Sequence, residues 1–224
     1  MKQVTILRID IQLKTRFPDL AVLTCSIQDV TVEKHNFELE EFKNKIMKQV
    51  GAKYDLDSVK NLPAFRAYRD FFWRVGIDPT KNRPAAEALI RRILGGRSIP
   101  RVNTLVDAYN LASVKTEIAL AAFDASRLMG DLLMRFAKRE EKFQGIGMKE
   151  PMFLQGGEIV ISDIEKLVAI YPYRDAESTK ISEKTKNIFL LVCGVPDIAE
   201  ETLRNAAQMA LEYVTRFCGG KRKP

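Results

Sequence analysis

The apolar positions of this chain change period along its length, and the changes predict its elements. Residues 1–33 carry Val4, Ile6 and Ile9, then Leu20-Ala21-Val22-Leu23-Thr24-Cys25-Ser26-Ile27, with a turn at Phe17-Pro18-Asp19. Such apolar and β-branched runs around a turn read as β-rich. Over residues 38–50 the pattern becomes helical, with Leu39, Phe42, Ile46 and Val50 on one face and acids ahead of bases. A second helix follows Pro63, with Phe65, Tyr68, Phe72 and Val75 as an inward stripe and Gly76 as its stop. A third has Pro84 at its first position, Leu89, Ile93 and Leu94 facing inward, and Gly95-Gly96 at its end. Asn103 caps a fourth, running to about residue 114. Residues 118–124 suit a strand or a buried helix equally. Strand-like pieces follow at 132–137, 152–154, 158–162, 167–171 and 188–192, and a closing helix spans 197–218 before Gly219-Gly220. There is no internal repeat and no obvious linker, so residues 1–224 read as a single α+β domain.

The fourth helix contains an anomaly. Asn103, Asp107 and Asn110 share one face among Leu105, Val106 and Leu111. Polar groups set that way either satisfy each other or point into a site. Asn103 is also a natural cap, and Asp107 and Asn110 could bond each other and the backbone.

Charge adds a second candidate. The net charge is +7, which suits an acidic partner such as nucleic acid or, equally, a solvated basic surface. Its distribution is uneven: Lys81, Arg83, Arg91, Arg92, Arg97 and Arg101 cluster within residues 81–101, where Glu87 is the single acid. Lys221-Arg222-Lys223 adds a small basic end.

Other classes are excluded or weakened. The lone histidine, His35, lies between Lys34 and Asn36 in a polar segment, which argues against a histidine-based triad or zinc site. Cys25, Cys193 and Cys218 show neither a disulfide framework nor metal spacing. The paired glycines lack a phosphate-loop context. No cofactor or metal is expected. No apolar run is long enough to span a bilayer, and the first residues, Met1 to Ile6, lack a signal-peptide core, so a cytoplasmic protein is expected.

Several motifs resemble the tRNA-editing domain (the B-three/B-four domain) of the phenylalanyl-tRNA synthetase β subunit in a free-standing form. They are Gly76-Ile77-Asp78-Pro79, Arg83-Pro84-Ala85-Ala86-Glu87-Ala88-Leu89 with Arg91-Arg92, and Asn103-Thr104-Leu105-Val106-Asp107-Ala108-Tyr109-Asn110. Phe123-Asp124, Gly157-Glu158-Ile159-Val160-Ile161-Ser162-Asp163 and Thr185-Lys186-Asn187 follow in order. The likeness is strongest over residues 60–195. It implies a three-layer α+β domain around a β-sandwich of unusual topology with flanking helices.

The resemblance also implies hydrolysis of mischarged aminoacyl-tRNA in trans, a translation-fidelity role, with the tRNA acceptor end as partner. On that reading Asn110 and Asp107 are catalytic. Asn103, Ala121, Tyr171, Arg174 and Asp175 bind substrate, and Arg83, Arg91, Arg92 and Arg101 contact nucleic acid. Two departures bear on substrate. Ala119-Leu120-Ala121 stands where the synthetase domain has Pro-x-His, and Tyr171-Pro172-Tyr173 replaces a glycine-containing wall. The alternatives are an RNA-binding module without chemistry and an amino-acid-binding protein.

Overall fold

A computed structural model describes residues 4–222. In chain order the elements begin with β1 (Thr5–Ile6), β2 (Arg8–Ile9), α1 (Ile11–Arg16), β3 (Leu23–Gln28) and α2 (Phe37–Lys53). The middle of the chain holds α3 (Pro63–Arg74), α4 (Ala85–Leu94), α5 (Thr104–Thr116), β4 (Leu120–Asp124) and β5 (Leu133–Phe136). Then come β6 (Lys142–Phe143), β7 (Met152–Phe153), β8 (Ile159–Ser162), β9 (Leu167–Ile170) and β10 (Arg174–Asp175). The chain closes with β11 (Ile188–Val192), α6 (Glu200–Cys218) and β12 (Lys221–Arg222). Lys223, the last residue of the basic end, and the first three residues of the chain lie outside the described residues.

The strands form two main sheets. The first runs β1-β3-β11-β4, with β12 also on β3, and its pairings are antiparallel. The second runs β10-β9-β8-β5-β2, antiparallel apart from the β2–β5 pair. Helices α5 and α6 pack on the first sheet and on each other, with α2 and α4 against α5. One apolar cluster joins helices to both sheets, and a smaller one around Phe143, Leu154 and Val160 lines the second sheet. This is the expected α+β architecture. Within the ambiguous stretch at 118–124, Leu120–Asp124 is a strand, and every one of its residues is buried, with α5 packed on it.

Local chemistry explains where the elements begin. Asn36 Oδ1 accepts from Leu39 N at 3.0 Å and opens α2. Asn103 Oδ1 accepts from Val106 N at 2.9 Å and opens α5. The β-rich start is interrupted by α1, which the sequence pattern did not suggest. There Asp10 caps Gln12 N at 2.9 Å, and Leu13 turns inward. The last helix starts at Glu200, three residues later than its Pro196-Asp197 opening suggested.

A buried ion pair ties α2 to α5. Lys43 Nζ lies 2.7 Å from Asp107 Oδ2, with both side chains almost fully buried. Asp107 Oδ1 accepts from Val102 N at 3.0 Å, and Lys43 also reaches Glu40 at 2.9 Å. Glu40 in turn holds Arg101 at 3.1 Å. The pair is stabilising only as a complete unit, because either charge left alone in the interior is expensive. Lys43→Ala is therefore expected to destabilise the fold by roughly 3–5 kcal/mol, whereas Lys43→Met combined with Asp107→Leu should recover most of that loss. Chemical denaturation of the single and double variants checks this, and a single variant within about 1 kcal/mol of wild type contradicts it.

Candidate functional site

The end of β11 and the start of β4 are pinned by a buried tyrosine. Tyr68, on the inward face of α3, donates its hydroxyl to Cys193 O and accepts from Ala119 N at 3.0 Å. Tyr171, at the end of β9, donates to the next carbonyl, Gly194 O. Its peptide bond to Pro172 is cis. Position 194 admits only glycine, since a Cβ there would stand 2.1 Å from Ala21 O.

Between these pinned strand ends lies a cavity of about 80 Å³. Ala119, Ala121, Leu191 and Cys193 line it from the first sheet, and Ala169 and Tyr171 from the second. Its rim is Tyr173, Arg174 and Ala85, the first residue of α4. Four of the five residues expected to bind substrate therefore meet here: Ala121, Tyr171, Arg174 and Asp175.

Asp175 is the chemically distinctive member. It pairs in register with Ala169, is half-buried, and its side chain makes no hydrogen bond or ion pair among the described residues. Loss of water raises its carboxyl to about 7, with no compensating partner. Burial, and secondarily the Asp175 charge, pushes the Cys193 thiol well above its ordinary range. The same two causes raise the Tyr109 hydroxyl. A thiol held protonated is a poor nucleophile, so Cys193 acts as wall. Arg174 lies 5.9 Å over the Tyr173 ring.

The mouth of the cavity carries a partial positive charge. Pro84 precedes α4 without a side-chain cap, and the N–H groups of Ala85, Ala86 and Glu87 have no acceptor among the described residues. Free first-turn N–H groups at the positive end of a helix favour an anionic oxygen.

The expected asparagine–aspartate face is elsewhere. Asn103 is spent on capping Val106, and Asp107 on Lys43 and Val102. Asn110 is half-buried with no side-chain hydrogen bond among the described residues. None of the three lines the cavity. Cys193, Leu191, Ala169 and Ala85 were not singled out by sequence reasoning, because small and apolar residues in strands and helix starts carry no chemical signature.

The basic residues do converge. A groove of about 560 Å³ is lined by Lys81, Arg83, Arg91, Arg92 and Arg97, with no acid among its lining residues. Arg91 Nη1 donates to Leu56 O at 3.0 Å and Arg92 Nε to Ser98 O at 2.6 Å, which orients both guanidinium forks. Glu87, the acid of this segment, is buried and neutralised by Arg69 at 3.1 Å. Arg101 is not part of the groove, because Glu40 holds its guanidinium.

A larger open depression, about 680 Å³, lies beside β5 and β8. Two ion pairs lie along it: Arg135 holds Glu141 at 2.7 Å, and Lys166 holds Asp163 at 2.9 Å. Among the described residues no group of three or more His, Cys, Asp or Glu could hold a metal, and no helix is long and apolar enough to cross a membrane.

The phenylalanine–tRNA ligase β subunit of Fusobacterium nucleatum is 34% identical over 91 residues, 41% of this chain and 11% of that protein. The same subunit from Mycoplasma genitalium is 27% identical over 138 residues, 61% of this chain and 17% of that protein. The chain thus spans under a fifth of the length of these curated relatives. A solved N-terminal fragment of the phenylalanyl-tRNA synthetase β subunit from Pyrococcus horikoshii aligns with 96% of this chain and 49% of its own, at 16% identity and a TM-score of 0.48. A model of the B3/4 domain matches residues 67–219, a stretch that contains the cavity and most of the basic groove. The chain belongs to the B3/4 domain family.

Proposed function

We propose that this chain binds the acceptor end of an aminoacyl-tRNA and hydrolyses the ester of a mischarged one, acting in trans. The observation that carries this reading is the position of α4. Its first residue, Ala85, lines the cavity, while Arg83, Arg91 and Arg92 line the basic groove. A strand whose phosphates follow the groove thereby delivers its terminal ribose to the cavity mouth. Membership of the B3/4 family, and the relatives' identity as tRNA ligase subunits, point to tRNA as that strand.

The chemistry asked of the site is modest, because an aminoacyl ester is already activated. Asp175 holds the α-ammonium, which fixes the carbonyl at the mouth. Water adds to that carbonyl, and the developing oxyanion faces the free N–H groups of the α4 first turn. The intermediate then collapses, the ribose oxygen leaves and takes up a proton, and the free amino acid departs. Asp107 serves the site indirectly by fixing α5, and Asn110, which does not line the cavity, takes no direct part in this reading. A second reading, tRNA binding without chemistry, draws support from Cys193, the cavity's thiol, being held protonated.

A panel of mischarged tRNAs incubated with purified protein separates the two. Accelerated ester loss from one or more pairs is expected, and retained binding with no ester loss from any pair leaves the module. Arg91→Ala with Arg92→Ala should weaken tRNA binding and reduce the slope of log affinity against log salt by roughly one for each phosphate no longer neutralised. An unchanged slope removes the groove from the account.

The raised Asp175 carboxyl gives a signed pH prediction. Between the ordinary aspartate range, about 4, and about 7 the folded protein holds a proton the unfolded chain has released, so stability falls as pH rises through that window. Asp175→Asn should therefore raise the melting temperature at roughly pH 8, leave it little changed at roughly pH 4, and lower kcat/KM for deacylation by about tenfold to a thousandfold. Melting curves at both pH values and single-turnover kinetics test it. A variant that melts earlier at the higher pH contradicts the desolvated carboxylate.

A further inference from the structure

The cavity is small, and its walls are of a kind that does not yield. At about 80 Å³ it has room for roughly five to eight water-sized groups, at about 10–15 Å³ each. The amino nitrogen, Cα, carbonyl carbon and carbonyl oxygen of an aminoacyl group fill about four of those positions. The remainder is all the side chain can use. Pockets for larger organic ligands are several times bigger, on the order of 300 Å³ and above.

Two of the wall strands, β9 and β11, are paired on both sides, and the third, β4, is paired along its length to β11. Ala121, on the edge strand β4, stands in register with Leu191 of the interior strand β11, and Ala169 stands in register with Asp175. Tyr171 closes one side and is fastened through its hydroxyl to Gly194 O. Expansion would break sheet pairing or that hydrogen bond, which close-packed interiors resist. Asp175 supplies a carboxyl that a substrate ammonium would hold ionised, and Ala119, Ala121 and Leu191 leave an apolar remainder.

We propose that the aminoacyl group accepted here is small, with a side chain of no more than about three non-hydrogen atoms, as in alanine, serine, cysteine, threonine or valine. Aromatic and long side chains are excluded. This inference rests on the reading of the cavity as the aminoacyl site, and it goes further by naming the substrate class.

Stable amides of 3′-amino-3′-deoxyadenosine, carrying alanine, serine, valine, phenylalanine or tyrosine, test it by calorimetry on the full chain. The small amides should bind, and the aromatic ones should bind at least roughly a hundredfold more weakly, since even a methylene beyond the available room costs about 10–200-fold. Ala121→Val should weaken the valyl amide by about 10–200-fold while sparing the alanyl amide. Should that variant misfold, the wild-type series still decides. Tyrosyl binding equal to or tighter than alanyl overturns the inference, and so does the absence of binding by every amide. Selective binding of small amides, without hydrolysis of any mischarged tRNA, upholds the size class and overturns the deacylase.

Discussion

The site depends on a short run of buried backbone that two tyrosines hold in place. The carbonyls of Cys193 and Gly194 sit where β11 leaves its sheet, a place where buried polar groups would otherwise lack partners. Tyr68 satisfies one and also accepts from Ala119 N, while Cys193 N donates to Ala119 O at 2.9 Å. Tyr171 satisfies the other. The result is a closed polar set inside an apolar core, and such sets impose geometry because each member loses much if any moves. The cavity is the space this set leaves open, so its size follows from hydrogen bonding rather than from loop position.

Electrostatics divides labour between two charge systems. The Lys43–Asp107 pair and its Glu40 and Arg101 extension are internally balanced and hold α2 against α5. Asp175 and the groove arginines are unbalanced, one a desolvated carboxyl without a partner inside a cavity and the others positive along a surface. Unbalanced charge costs stability and is retained where a ligand completes it. An aminoacyl-tRNA would complete both at once, with its ammonium on Asp175 and its phosphates on the groove.

The helices and most strands were legible from period, caps and glycine stops, and so was the α+β class. Helix α1 was missed because its six residues offer too few turns for a periodic signal. The basic groove was legible because consecutive turns of α4 and its flanks carry the charges. The polar face of α5 was visible too, but its partner was not: Lys43 stands on the same face of α2 as Leu39, Ile46 and Val50, and a lysine there marks a buried anion nearby. Asp124 and Thr185, two of the landmarks that make the family recognisable, bond each other at 2.8 Å in the interior. Motifs of that kind report the scaffold. The cavity is lined instead by Ala121 and by Tyr171 to Asp175, where the resemblance to the synthetase domain breaks down, and on the proposed reading these would set the substrate.

The central claim is that cavity and groove form one continuous site joined at α4. The most direct test is a crystal structure of the protein with an acceptor-stem minihelix ending in a 3′-alanylamide. The account predicts phosphates beside Arg83, Arg91 and Arg92, the terminal ribose at Ala85, and the alanyl ammonium on Asp175. A terminus seated in the open depression beside Arg135 and Glu141, with the Asp175 cavity unfilled, would contradict it.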